Sequence, residues 1–92
     1  MRSSLLPLLL VALYLLVARD VGGNEFTQLY RFDLASGRAT LLTDGKSQNG
    51  GAVWSRAGDR IAYGSTRRNG ADRDLYVMDP LDPKSDHMVV QV

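Results

Sequence analysis

No cysteine occurs in the 92 residues, which excludes disulfide staples, thiolate zinc sites and a cysteine nucleophile. A small scaffold thereby loses its usual reinforcement. A surplus of one charge is also missing. Eleven Lys and Arg against ten Asp and Glu leave a net charge of +1, too balanced for the electrostatic footprint of a nucleic-acid binder. No segment sustains a helical hydrophobic period, so the composition, 45% apolar and 23% charged, has to be folded from strands. A chain of this size buries only roughly 60–65% of its unfolded surface. There is no room for a second domain, and stability has to come from more chain or from partners.

What is present begins with Arg2 and the apolar run from Leu5 to Val17, the charged start and greasy stretch of a secretory signal peptide. The run falls short of the roughly 20 apolar residues that cross a bilayer, so no stable membrane span is expected. Cleavage signals are weak, because Ala18 has Leu16 at the −3 place and only Val21 and Gly23 make a tolerable pair. Residues 1–13 read as a leader that extends at most to 23. Export to the periplasm or beyond is one reading, and cytoplasmic location the other.

An internal repeat competes for the same residues. Leu29-Tyr30-Arg31-Phe32-Asp33 recurs 46 positions later as Leu75-Tyr76-Val77-Met78-Asp79, close to the roughly 40–45 residues of a four-stranded repeat unit. Carried backwards, the offset sets Leu15-Leu16-Val17-Ala18 opposite Ile61-Ala62-Tyr63-Gly64; carried forwards, it sets Ala39 to Thr43 opposite Ser85 to Val89. The match fades before Tyr14. Strands are expected at 14–19, 28–33, 39–43, 52–55, 60–65, 74–79 and 87–92, separated by turn signals such as Gly22-Gly23-Asn24, Ala35-Ser36-Gly37 and Arg68-Asn69-Gly70. They are apolar on both sides, as suits a sheet packed between two neighbours. An incomplete unit over 14–51 and a complete one over 52–92 follow.

The run Leu29-Tyr30, Asp33-Leu34, Gly37, Leu42-Thr43-Asp44-Gly45, then Val53-Trp54-Ser55, Gly58, Ile61-Ala62-Tyr63-Gly64-Ser65 and Asp74-Leu75-Tyr76-Val77-Met78-Asp79 resembles the TolB-type, WD-like β-propeller repeat over about residues 15–92. Thr43-Asp44-Gly45-Lys46-Ser47 with Ser65-Thr66-Arg67-Arg68-Asn69-Gly70 is most similar to propellers of exported serine peptidases of the prolyl oligopeptidase family. The resemblance implies an all-β propeller fragment of about two four-stranded antiparallel blades, the first lacking its inner strand. It implies a non-catalytic segment that shields the active site of an α/β-hydrolase domain and selects peptide substrates. Its partners would be the rest of a larger propeller, that hydrolase domain, and a peptide or protein ligand. The alternatives are a TolB-like periplasmic interaction module, and a truncated gene fragment with no independent function. The family turn is Ser-Pro-Asp-Gly, whereas this chain has Ser55-Arg56-Ala57-Gly58, so a looser turn is expected.

No residue is assigned to catalysis, to a cofactor or to a metal. His87, the only histidine, has no G-x-S-x-G elbow to serve and reads as a strand residue near an edge. Gly45-Lys46-Ser47 imitates the end of a phosphate loop, but position 40 is Thr40 and no helix follows. Asp72, Asp74, Asp79 and Asp82 lack a calcium-loop spacing. Arg67 and Arg68 would suit an anionic group, though a solvated hairpin tip is the plainer reading. Trp54 reads as the cap of a sheet core, and Tyr30 and Tyr76 as packing residues.

Overall fold

The computed structural model describes residues 14–20, 22–23 and 25–92. The expected leader over 1–13 lies outside these residues, while Tyr14 to Ala18, which both readings claimed, are part of a strand. Seven strands follow in order: β1 (Tyr14–Asp20), β2 (Thr27–Asp33), β3 (Ala39–Leu41), β4 (Asn49–Trp54), β5 (Ile61–Ser65), β6 (Asp74–Asp79) and β7 (Asp82–Val90). They form two antiparallel sheets, β1-β2-β3 and β4-β5-β6-β7, each a meander of sequential neighbours. The protein is all-β, and no helix occurs among the described residues.

The 46-residue offset survives as strand register. Leu15–Phe32, Leu16–Arg31, Val17–Tyr30, Ala18–Leu29 and Arg19–Gln28 pair in the first sheet, and the residues 46 further on pair with each other in the second: Ile61–Met78, Ala62–Val77, Tyr63–Tyr76, Gly64–Leu75 and Ser65–Asp74. So β1 corresponds to β5 and β2 to β6. The outer strand slips by one. Thr40 and Leu41 face Arg31 and Tyr30, whereas His87 and Met88 face Val77 and Tyr76, an offset of 47, because the β6–β7 ladder carries bulges. The expected pairing of Ala39–Thr43 with Ser85–Val89 is therefore corrected by one residue.

Alternation along the strands decides what is buried. In β5 and β6, Ile61, Tyr63, Ser65, Asp74, Tyr76 and Met78 are buried, while the residues between them are open or half-open. This front face packs on the back of the first sheet, where Leu29 and Leu42 complete a single core with Ile61, Tyr63, Tyr76 and Met78, flanked by Leu16 and Ala52. Two contacts confirm the mating: the Tyr14 and Trp54 rings lie 6.0 Å apart, and Arg31 Nη1 donates to the Pro80 carbonyl at 2.8 Å. Each sheet thus buries one face within the chain. The outer faces are apolar as well: Leu15, Val17 and Leu41 in front of the first sheet and Val53 and Leu75 behind the second stay exposed.

Strand limits differ from expectation where side chains take over the ladder. β3 stops at Leu41; Leu42 N–H still donates to Leu29 C=O, but the next step runs through the Thr43 hydroxyl, which accepts from Leu29 N–H. β4 starts at Asn49, with a bulge between Gly50 and Val53 at which Gly51 has φ +66°, a conformation glycine adopts without Cβ strain. The Ser55–Gly58 turn is closed with Arg56 and Ala57 at its centre: Gly58 N–H donates to Ser55 C=O, Arg60 N–H to Ser55 Oγ, and Ser55 Oγ to Asp59.

Glu25 is the one described non-glycine residue with positive φ, at 65°, where its Cβ is strained. Glu25→Gly should raise stability by about 0.5–1 kcal/mol, read as a higher urea midpoint at fixed protein concentration.

Candidate functional site

Two polar clusters sit at the same end of the sheets. The first is made by the β5–β6 hairpin. Thr66 N–H donates to the Gln48 carbonyl, pinning the hairpin to the β3–β4 connection, and Asn69 accepts from Ala71 and Asp72 N–H to shape its tip. This fold-back turns Arg67 across the sheet front. Its guanidinium lies 3.7 Å from the Tyr76 ring centre, pairs with Asp86 and donates to the Tyr63 hydroxyl at 3.1 Å. The same hydroxyl donates to Asp86 at 2.8 Å. Burial, reinforced by the Asp86 carboxylate, pushes the Tyr63 phenol well above its ordinary range. Desolvation acts to lower the Arg67 pKa, but the hydrogen bond to Asp86 together with the charges of Tyr63 and Asp86 leaves it raised.

Arg68 grips the buried Asp74 two-pronged, Nε at 2.6 Å and Nη2 at 3.1 Å, and Val92 N–H adds a third bond to that carboxylate. The Arg68 hydrogen bond, then the Val92 amide, holds the Asp74 carboxyl below its usual value. The reading of a solvated tip holds for Arg68, which stays exposed, and is corrected for Arg67, which is half-buried across the sheet front; both are paired with carboxylates, so neither offers a vacant anion grip.

The second cluster centres on Gln28, whose side chain is fully buried. Its Nε2 donates to the Phe26 and Ser47 carbonyls, and its Oε1 accepts from the Thr43 hydroxyl at 2.6 Å, Gly45 N–H at 3.0 Å and Asn49 Nδ2 at 3.1 Å. Asn49 also donates to the Thr27 and Ser47 carbonyls. One amide thereby ties β2 to the start of the second sheet. Gln28 and Asp74 are register equivalents, and in both sheets a buried polar side chain captures the chain leaving the outer strand. The sequence reading missed this node; a polar residue at the same place in both repeats was its only signal.

The remaining candidates are placed as follows. Gly45-Lys46-Ser47 forms a turn around Asp44, which accepts from Lys46 N–H at 3.0 Å and Ser47 N–H at 2.8 Å; the amides a phosphate would need are already engaged. Burial opposes ionisation of Asp44, yet the Ser47 hydroxyl and these amides hold its pKa below normal. Asp74 lies at one end of β6, and Asp79 and Asp82 face each other at the other. No group of three or more potential metal ligands gathers among the described residues.

Ser85, His87, Asp79 and Asp82 do line one shallow depression, the composition of a catalytic triad. The wiring is wrong for one. Ser85 Oγ donates to the Asp82 carbonyl at 2.7 Å and accepts from Asp79 N–H, while His87 Nδ1 lies 2.7 Å from the Ser85 carbonyl oxygen. No base meets the hydroxyl. His87 is an exposed residue of the outermost strand, Tyr76 packs in the core, and Tyr30 is half-buried beneath Arg19 at 5.0 Å. Trp54 caps the edge of the core against Tyr14, nearly half exposed.

The depressed carboxyls set a pH response. A carboxyl with a lowered folded-state pKa contributes stability that is complete above its unfolded value near 3.8 and is lost as pH falls through the folded value. Melting temperature should accordingly drop below about pH 4, and Asp74→Asn should flatten that slope; an identical slope in the variant would contradict the role given to the pair.

No family model, curated protein or solved structure matches the chain. No helix among the described residues is long and apolar enough to cross a membrane.

Proposed function

We propose that the chain is a two-blade stretch of a TolB-type β-propeller and serves as a non-catalytic wall of an exported serine peptidase of the prolyl oligopeptidase type, shielding the active site and selecting peptide substrates. The observation that carries the reading is the recurrence of strand register at a 46-residue spacing in two sheets stacked front to back. Sheets related this way form an open series in which each unit contacts its neighbours, and a propeller closes such a series around a channel. The clusters around Arg67 and Gln28 fit a scaffold: their polar groups bond to one another and brace the junctions between strands. Reaction chemistry would come from elsewhere in the whole protein.

The test is a hydrolysis assay joined to the coding sequence on either side of these codons. The purified chain should show no turnover of fluorogenic proline peptides, and His87→Ala should change nothing. The flanking sequence should continue into further repeats and a G-x-S-x-G elbow between a strand and a helix. Turnover by the chain alone, or flanks free of both features, overturns the peptidase reading.

A further inference from the structure

Register-equivalent residues of the two sheets differ in burial, and the difference has a direction. Ile61 and Tyr63, at the front of the second sheet, are 1% and 0% exposed, whereas their equivalents Leu15 and Val17, at the front of the first, are 51% and 37% exposed. On the back faces the order reverses: Leu29 in the first sheet is 1% exposed and its equivalent Leu75 in the second is 42% exposed. Within the chain the back of sheet one is covered by the front of sheet two. Among the described residues, what stays open is one front and one back, the same two kinds of surface that already mate.

The open front is a shallow apolar depression lined by Val17, Arg19, Tyr30, Phe32 and Ala39. The open back carries Val53, Ala62, Leu75 and Val77, with Gly50 and Gly64 leaving a flat floor under Arg73. Monomers rarely leave such apolar faces bare on both sides.

We infer that these faces are a head-to-tail contact between copies of this chain: the back of the second sheet in one copy seats on the front of the first sheet in the next, repeating the packing seen inside the chain. The occupant is a second copy because the internal junction is the template for the contact and the chain itself carries both halves of it. A contact of this kind is heterologous, so copies add in series until the rotation closes a ring or a filament grows. Arg19 and Arg73 lie at the same end of their respective sheets and come together in such a stack, so added salt should strengthen association by screening them.

The inference shares with the proposed function only the equivalence of the two sheets, and mixing two blocked variants tests it. Val17→Lys spoils the open front and Leu75→Lys the open back, and both side chains are exposed. In sedimentation velocity the unaltered chain should form species larger than dimers, more so at high salt. Each variant alone should associate at least tenfold more weakly, and an equimolar mixture should give a 1:1 complex through the intact front of one and the intact back of the other. Circular dichroism verifies folding. If either variant loses its strand spectrum, Leu15→Lys and Val53→Lys, on the same two faces, replace the pair. A mixture that stays monomeric, a variant that self-associates as the parent does, or a complex that salt dissociates overturns the inference. A chain that stays an unfolded monomer at every concentration overturns it while leaving the blade reading intact, since the neighbours would then be further repeats of a longer protein. A stably folded monomer overturns both.

Discussion

Ile61→Ala should lower stability by about 2–5 kcal/mol, whereas Leu15→Ala, at the equivalent register position in the first sheet, should cost less than about 0.5 kcal/mol in the unassociated chain. Ile61 is enclosed by the junction between the sheets, in one core with Leu29, Tyr63, Tyr76 and Met78. Truncating it removes the transfer free energy of the lost methyl groups and leaves a cavity that a sheet-on-sheet junction cannot collapse to fill. Leu15 sits in the same pleat but faces outward. Marginal small domains hold only a few kcal/mol in reserve, so the Ile61 variant should be largely unfolded at room temperature. Urea titration monitored by Trp54 fluorescence, at fixed protein concentration, reads both. Equal costs at the two positions would mean that the sheets do not stack as described.

Gln28→Leu should cost about 2–4 kcal/mol, more than most substitutions of a polar residue. Leucine is close in volume but returns none of the five bonds. The Thr43 hydroxyl, Gly45 N–H, Asn49 amide and the Phe26 and Ser47 carbonyls would each lose a partner at a position sealed from water, and an unmade buried bond costs about 1–3 kcal/mol. Gln28→Glu should cost at least as much, since a carboxylate keeps the three accepted bonds but sets a buried charge against the two carbonyls to which Nε2 now donates. Because the node joins β2 to the start of β4, amide hydrogen exchange in β4 should quicken more than in β6. A loss of protection spread evenly over the chain would contradict a local joint.

Much of this fold was legible from one offset. Leu29-Tyr30 and Leu75-Tyr76 fixed the spacing, and the backward extension to Val17 and Tyr63 matched the register that forms. The places where the sequence misled have physical causes. Gln48-Asn49-Gly50-Gly51 looks like a polar turn, yet Asn49 opens β4 because its side chain is consumed by Gln28 and Thr27 and because Gly51 accommodates the bulge. Asp82-Pro83-Lys84-Ser85-Asp86 looks like a loop, yet it begins β7: Asp79 faces Asp82 across a hairpin turning at Pro80 and Leu81, and Pro83 is tolerated in an outermost strand. Arg67 looked solvated because its carboxylate partner, Asp86, is distant in sequence, and the pairing of the exposed Arg68 was hidden because Asp74 reads as a strand residue. The Gln28 node was missed because its one signal, a polar residue at the places of Gln28 and Asp74 in the two repeats, does not show which side chains are buried.

The central claim is that two register-equivalent sheets stack front to back and leave one front and one back unmated, so that the chain needs neighbours. The most direct measurement is urea unfolding of residues 14–92, followed by Trp54 fluorescence and circular dichroism over about a hundredfold range of protein concentration. Two sheets stacked in this way should give a monomer of only marginal stability at the dilute end and a midpoint that climbs with concentration. A concentration-independent, two-state transition of a monomer stable by several kcal/mol would contradict it.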